Sequence, residues 1–60
     1  MKNFIFIEEE KSGKTYFINI NQITWLDINT RAVELASGML FYINEQSMGD
    51  LIAKMKGENE

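Results

Sequence analysis

Few side chains in this sequence are suited to catalysis. It contains no histidine and no cysteine, which excludes imidazole chemistry near neutral pH, thiolate chemistry and zinc sites built from these residues. Three serines remain as hydroxyl nucleophiles, Ser12, Ser37 and Ser47, and none lies in a recognisable catalytic motif. We therefore predict that the protein is not an enzyme and that it uses no cofactor and no metal.

Arg31, Lys14 and Trp25 are the candidate residues for binding an anionic ligand. A guanidinium group binds phosphate through paired hydrogen bonds, and an oligomer would repeat Arg31 and Lys14 around a pocket that one chain lacks. Trp25 is the only tryptophan. It either packs in the core or stays exposed as a stacking or interface residue, and in so small a domain we expect the core position.

The net charge of the chain is −3, with nine acidic and six basic residues. The basic residues are scattered along the chain, so the clustered cations that bind duplex DNA or an anionic membrane are missing. The acidic run at 8–10 lacks the alternating ligand spacing of calcium loops, and we expect a solvated edge there. No apolar run approaches the roughly 20 residues of a membrane span, so we predict a soluble, cytoplasmic protein.

Short runs of β-forming residues, separated by turn-forming residues, dominate the chain as far as position 43. Strands are predicted at 3–8, 15–20, 23–28, 32–36 and 39–43, and a helix at 47–56. The predicted fold class is α+β: a small antiparallel sheet or partly closed barrel of about five strands (β-β-β-β-β-α) with one C-terminal helix. We expect one domain over 1–57 and a frayed tail at 58–60.

The predicted helix has a polar start and one apolar stripe. Ser47 is expected to be its N-cap residue. Four residues recur at helical spacing and form the stripe: Met48, Leu51, Ile52 and Met55. We expect this stripe to pack on the sheet, although its methionines would also suit an adaptable surface for a partner.

The first and fifth predicted strands are apolar on both faces. In the first, Phe4 and Phe6 alternate with isoleucines, and in the fifth, Phe41 alternates with Tyr42. Either the chain covers both faces of such a strand itself, or one face meets another subunit. One short helix cannot cover two strands of this kind, so we predict a homo-oligomer with Phe4, Phe6, Phe41 and Tyr42 at its interface.

Most of the chain, from position 16 to about 55, resembles small flagellar proteins of the FlbD type. The resemblance is carried by an I-x-x-I strand, a V-x-L-x-x-G hairpin and the entry to the helix; its positions here include Ile23, Leu26, Val33, Leu35, Gly38 and Ser47. It implies a β-hairpin-plus-helix topology. The proline-containing turn of that family is absent, since the chain has no proline. The same segment is more distantly similar to LytTR-type DNA-binding β modules, whose activity the acidic charge of this chain disfavours.

Two classes of function are therefore predicted. The first is a small non-enzymatic interaction protein that self-associates and acts by binding a protein partner. The alternative is an oligomeric binder of a small anionic ligand, such as a nucleotide signal, or a mobile-element (phage) inhibitor of a host factor. In the inhibitor case, the acidic chain would imitate nucleic acid toward a basic partner.

Overall fold

Five β-strands and one C-terminal α-helix make up residues 3–57, the part of the chain that the computed structural model describes. In chain order the elements are β1 (Phe4–Glu8), β2 (Thr15–Asn19), a short 3-10 helix (Ile20–Gln22), β3 (Ile23–Asp27), β4 (Ala32–Leu35), β5 (Leu40–Tyr42) and α1 (Glu45–Met55). The α+β class and the order of the elements are confirmed, and each predicted strand is placed to within one residue at each end. The predicted tail at 58–60 lies outside the described residues.

The strands form two antiparallel sheets. β1 pairs with β2, with Phe6 directly opposite Phe17. β3, β4 and β5 form a second sheet in which β4 is central and Val33 lies between Leu26 and Phe41. A single bridge between Glu9 and Ile43 joins the sheets within the described part of the chain.

The prediction of one sheet or a partly closed barrel is corrected by this arrangement. The five strands are divided between a two-stranded and a three-stranded sheet, and they do not close into a barrel. The division follows from the 3-10 turn between β2 and β3, where the Asn19 side chain accepts a hydrogen bond from the Asn21 N–H at 2.9 Å. This turn interrupts the extended backbone, so β2 and β3 do not pair as a hairpin.

The core lies between the inner faces of the two sheets and α1. Its buried residues come from four strands, the residue after β5 and the helix: Ile7, Ile18, Val33, Phe41, Ile43, Met48 and Leu51. The predicted packing of the helical stripe on the sheets is confirmed for Met48 and Leu51, whereas Met55 is exposed. α1 has 11 residues, and no helix within residues 3–57 combines the length and apolar character needed to cross a bilayer.

The start of α1 differs from the prediction. Asn44 is the N-cap residue, and its Oδ1 accepts a hydrogen bond from the Ser47 N–H at 2.8 Å. Ser47 lies inside the first turn and is buried, and its Oγ accepts a hydrogen bond from the Glu8 N–H at 2.8 Å. The prediction of Ser47 as N-cap is therefore wrong. Asn44 takes the cap because it lies two residues after β5 and has an extended conformation, as an N-cap residue requires.

Candidate interaction surfaces

The outer face of β1 and β2 carries three phenylalanines, of which Phe17 contacts the other two. We call it the aromatic surface: Phe4, Phe6 and Phe17. The ring of Phe17 lies 5.1 Å from that of Phe4 and 4.5 Å from that of Phe6, measured between centroids. Phe6 is 64% exposed and Phe17 is 50% exposed. Large apolar rings are thus held in a fixed cluster that water reaches.

Strand alternation places these rings outside. Successive side chains of a strand point to opposite faces, so burying Ile7 and Ile18 in the core directs Phe6 and Phe17 outward. The inner face is already filled by isoleucines. A one-residue slip in either strand would expose the core residues instead, so the sheet cannot bury the phenylalanines without losing its own core.

The outer face of the second sheet combines apolar and acidic side chains, and we call it the acidic-apolar surface: Trp25, Asp27, Glu34, Leu40 and Tyr42. Glu34 on the central strand lies opposite Trp25 on one side and Leu40 on the other. Trp25, Leu40 and Tyr42 are each close to half exposed, at 48%, 46% and 50%. The strand residues that share this face include two carboxylates and no basic residue.

The carboxylates of this surface are also held by hydrogen bonds. Asp27 Oδ1 accepts from the Asn29 N–H at 2.9 Å, which shapes the turn after β3. Glu34 Oε1 lies 3.4 Å from the Thr24 hydroxyl, which donates to it. Each carboxylate therefore has a restricted position beside the apolar side chains of this surface.

The expectation that Trp25 lies in the core is corrected by its exposure. The pairing of β3 with β4 is irregular between Ile23 and Trp25, and Leu26, opposite Val33, supplies the residue that packs against the core. Trp25 is adjacent to Leu26 in the strand, so it points to the other face. The irregularity explains why Ile23 packs against the core whereas Trp25, two residues later, does not.

Arg31 is a structural residue at the centre of several contacts. Its backbone is left-handed, with φ of 61°, and its carbonyl accepts a hydrogen bond from the Ile43 N–H at 3.0 Å. Its Nε–H donates to the Ile43 carbonyl at 3.0 Å, and its guanidinium lies 3.8 Å from the Glu10 carboxylate. The side chain thus connects the turn after β3 with the chain that leads into α1.

The three predicted ligand-binding residues lie on separate elements. Lys14 precedes β2 and is exposed, Trp25 lies in β3, and Arg31 lies in the turn between β3 and β4. Residues 3–57 enclose no pocket. Within this part of the chain, the structure therefore does not gather these residues into a concave binding site.

The predicted interface residues separate into two groups. Phe4 and Phe6 lie on the aromatic surface and Tyr42 on the acidic-apolar surface, whereas Phe41 is only 5% exposed and belongs to the core. Sequence reasoning omitted Phe17 and Leu40. The clear alternation of β2, with Tyr16 and Ile18 on the other face, was the signal that would have found Phe17.

The acidic run at 8–10 takes part in the junction of the two sheets. The Glu10 N–H donates to the Tyr42 carbonyl at 2.8 Å, and Glu9 Oε1 accepts from the Ser12 hydroxyl at 2.6 Å. Across residues 3–57, no three acidic side chains are grouped so that they could hold a metal ion. The run therefore serves the turn between β1 and β2 and its contact with β5.

No family model matches the chain, and neither the curated proteins nor the solved structures include a significant match. The resemblance to FlbD-type flagellar proteins accordingly stays a prediction. The function is therefore inferred from the chemistry of the aromatic surface and the acidic-apolar surface.

Proposed function

We propose that this chain is a small non-enzymatic interaction protein that self-associates and acts by binding a protein partner. The observation that carries the proposal is the exposure of large apolar side chains on both sheets. Phe6 and Phe17 lie on one sheet, and Trp25, Leu40 and Tyr42 lie on the other. Clustered aromatic residues of this kind are typical of interfaces, whereas single exposed apolar residues need no explanation.

The aromatic surface is suited to a second copy of the chain. Its three rings carry no charge, so the rings of two copies can meet without opposing like charges. Glu8 shares this outer face but lies at the end of β1, opposite Thr15. A chain of 60 residues buries a smaller share of its surface than a larger domain does, about 60%, and covering Phe4, Phe6 and Phe17 would add apolar burial. Self-association at this face would therefore stabilise the fold as well as create an assembly.

The acidic-apolar surface is suited to a different kind of partner. Asp27 and Glu34 place negative charge beside Trp25, Leu40 and Tyr42, so a second copy of the same face would bring like charges together. A partner segment with apolar side chains flanked by lysine or arginine would match both features. We propose such a basic, apolar protein segment as the partner at this surface.

Site-specific photo-crosslinking in cells tests this assignment. A photoreactive phenylalanine analogue at Trp25 should form a covalent adduct with a discrete protein other than this chain, and Glu34→Lys should abolish the adduct by reversing the charge. The same analogue at Ser37, which is exposed in the turn between β4 and β5, is the matched control. Equal adduct patterns from Trp25 and Ser37 would contradict the assignment.

The alternative of an anionic-ligand binder gains no support from the contacts of Arg31. Its Nε–H is used by the Ile43 carbonyl and its charge is close to Glu10. The FlbD-like flagellar role, the phage inhibitor role and the cytoplasmic location stay predictions. Each of them is compatible with a protein that acts through its surfaces.

A further inference from the structure

β2 lies at the edge of its sheet, with β1 on one side and no strand on the other within residues 3–57. Two backbone hydrogen bonds at the ends of the β1–β2 pair show which N–H and C=O groups of β2 bond to β1. The Ile20 N–H donates to the Asn3 carbonyl at 2.7 Å, and the Glu9 N–H donates to the Lys14 carbonyl at 2.8 Å. Both contacts flank the paired strands and continue their register, and each joins an odd-numbered residue before or after β1 to an even-numbered residue after or before β2.

Hydrogen-bonded and non-hydrogen-bonded pairs alternate along an antiparallel ladder. The pairs at Ile5 and Ile7 are therefore hydrogen-bonded, and the Phe6–Phe17 pair is not. It follows that the N–H and C=O groups of Thr15, Phe17 and Asn19 point away from β1. The three N–H groups and the carbonyls of Thr15 and Phe17 form a free row of donors and acceptors along the outer edge of β2. The Asn19 carbonyl, at the N-cap of the 3-10 turn, already accepts a hydrogen bond within that turn and keeps one lone pair for a further donor.

Other strand edges are obstructed. The edge of β3 has the irregularity between Ile23 and Trp25, which disturbs pairing with a further strand. The outer edge of β1 is occupied near Glu8, whose N–H donates to Ser47 at 2.8 Å and whose carbonyl accepts from the Asn44 N–H at 3.1 Å. Tyr42 on the outer edge of β5 accepts from the Glu10 N–H at 2.8 Å.

The edge of β2 has none of the features that usually prevent strand addition. Its five residues, Thr-Tyr-Phe-Ile-Asn, include no charged residue, no proline and no glycine, and its pairing with β1 is regular. An unprotected edge of this kind accepts another strand through backbone hydrogen bonds.

We propose that β2 of one chain pairs antiparallel with β2 of a second copy, about a two-fold axis at Phe17. This inference rests on the proposed self-association and specifies how it occurs. The pairing sets Phe17 opposite Phe17 of the second copy and Thr15 opposite Asn19, so all opposing residues on this face are uncharged. The pairing gives about four backbone hydrogen bonds between free groups. It gives about two more, from each Thr15 N–H, to an Asn19 carbonyl that is shared with the 3-10 turn.

The two-fold arrangement also joins the aromatic surfaces. Directly opposed residues of an antiparallel pair lie on the same face, so the phenylalanines of both copies form one cluster across a four-stranded sheet. Each copy uses its β2 edge once, and the assembly closes as a dimer. The inner faces, with Tyr16 and Ile18, continue to cover the core of each copy.

Amide hydrogen exchange of the unmodified protein, followed by NMR at low and high concentration, tests the proposal. In the dimer the amides of Thr15, Phe17 and Asn19 should exchange at least about tenfold more slowly than in the monomer. The amides of Tyr16 and Ile18 bond to β1 in both states and serve as internal controls. The mass of the protein is measured on the same samples by sedimentation.

A pair of variants at Thr15 provides an independent test. Proline is tolerated at the first residue of an edge strand when its nitrogen faces away from the neighbouring strand, so Thr15→Pro should keep the monomer folded. It removes an outward N–H and should weaken dimerisation at least about tenfold. Thr15→Ala keeps the N–H and should change the dissociation constant of the dimer by about twofold at most.

The outcomes separate this inference from the proposed function. A doubled mass with protection of all three amides supports β2 pairing. A doubled mass without that protection overturns β2 pairing and leaves self-association through another surface. A mass that stays at 7.0 kDa at high concentration overturns both, and a species larger than a dimer contradicts the two-fold closure.

Discussion

The Ser47 hydroxyl accepts a hydrogen bond from the Glu8 N–H at 2.8 Å, across 39 residues of sequence. The bond joins the first turn of α1 to the last residue of β1, and Ser47 is 6% exposed. Ser47→Ala removes the acceptor and leaves a part-buried N–H without a partner. We expect a loss of about 1–3 kcal/mol in the free energy of unfolding, measured by urea denaturation.

Gln46→Ala is the matched control for this prediction. Gln46 is an exposed neighbour in the same helix turn, and its side chain bonds only to Asp50 in the described structure, at 3.1 Å. Its replacement should change stability by about 0.5 kcal/mol or less. Equal effects of the two substitutions would mean that the contact between Ser47 and Glu8 does not stabilise the fold.

Leu51 and Met55 belong to the same predicted stripe, but the structure separates them. Leu51 is completely buried and Met55 is 47% exposed. Leu51→Ala should cost about 2–5 kcal/mol through lost burial and the cavity left behind, which is a large part of the stability of a small domain. Met55→Ala should cost much less, and similar urea midpoints for the two variants would show that the helix packs differently.

Arg31 combines a left-handed backbone with a side-chain contact, and two substitutions separate these contributions. Arg31→Gly and Arg31→Ala both lose the hydrogen bond to the Ile43 carbonyl. The loss of this bond alone should lower the free energy of unfolding of each variant by about 1.5–3 kcal/mol. Alanine is strained at φ of 61° and glycine is not.

The glycine variant should therefore be more stable than the alanine variant by about 1 kcal/mol in urea or thermal unfolding. At an ordinary strand or helix position the order is reversed, because glycine loses more backbone entropy on folding. An alanine variant that is the more stable of the two would contradict the left-handed conformation.

The positions of the strands could be predicted from sequence because each is short, rich in β-forming residues and bounded by turn-forming residues. Which face of a strand meets the core could not be predicted where both faces are apolar. In β5, Phe41 and Tyr42 are adjacent and similar in size, yet Phe41 is buried and Tyr42 is exposed. Only the position of β5 in its sheet decides between them.

The start of the helix was ambiguous for a different reason. Asn44 and Ser47 are both residue types that favour the N-cap, and local preference alone ranks them closely. The choice depends on the contact of Ser47 with Glu8, which is distant in sequence. The division into two sheets likewise depends on long-range pairing, of which the bridge between Glu9 and Ile43 is one example.

Trp25 provides a direct optical test of the acidic-apolar surface, since it is the only tryptophan. The residue is 48% exposed in the folded protein. We therefore expect acrylamide to quench its fluorescence at least about half as strongly as it does in the urea-unfolded chain. Strong protection from acrylamide in a dilute, folded sample would place Trp25 in the core and remove it from this surface.

Sedimentation equilibrium over a range from about 1 µM to 1 mM measures self-association most directly, since these concentrations cover the affinities of weak and moderately tight dimers. The exposed rings of Phe6 and Phe17 predict a reversible increase in mass from 7.0 kDa to twice that value. Phe6→Ser, which removes the most exposed ring of the aromatic surface, should shift the increase to higher concentration. A native protein that remains at 7.0 kDa throughout the range would contradict self-association.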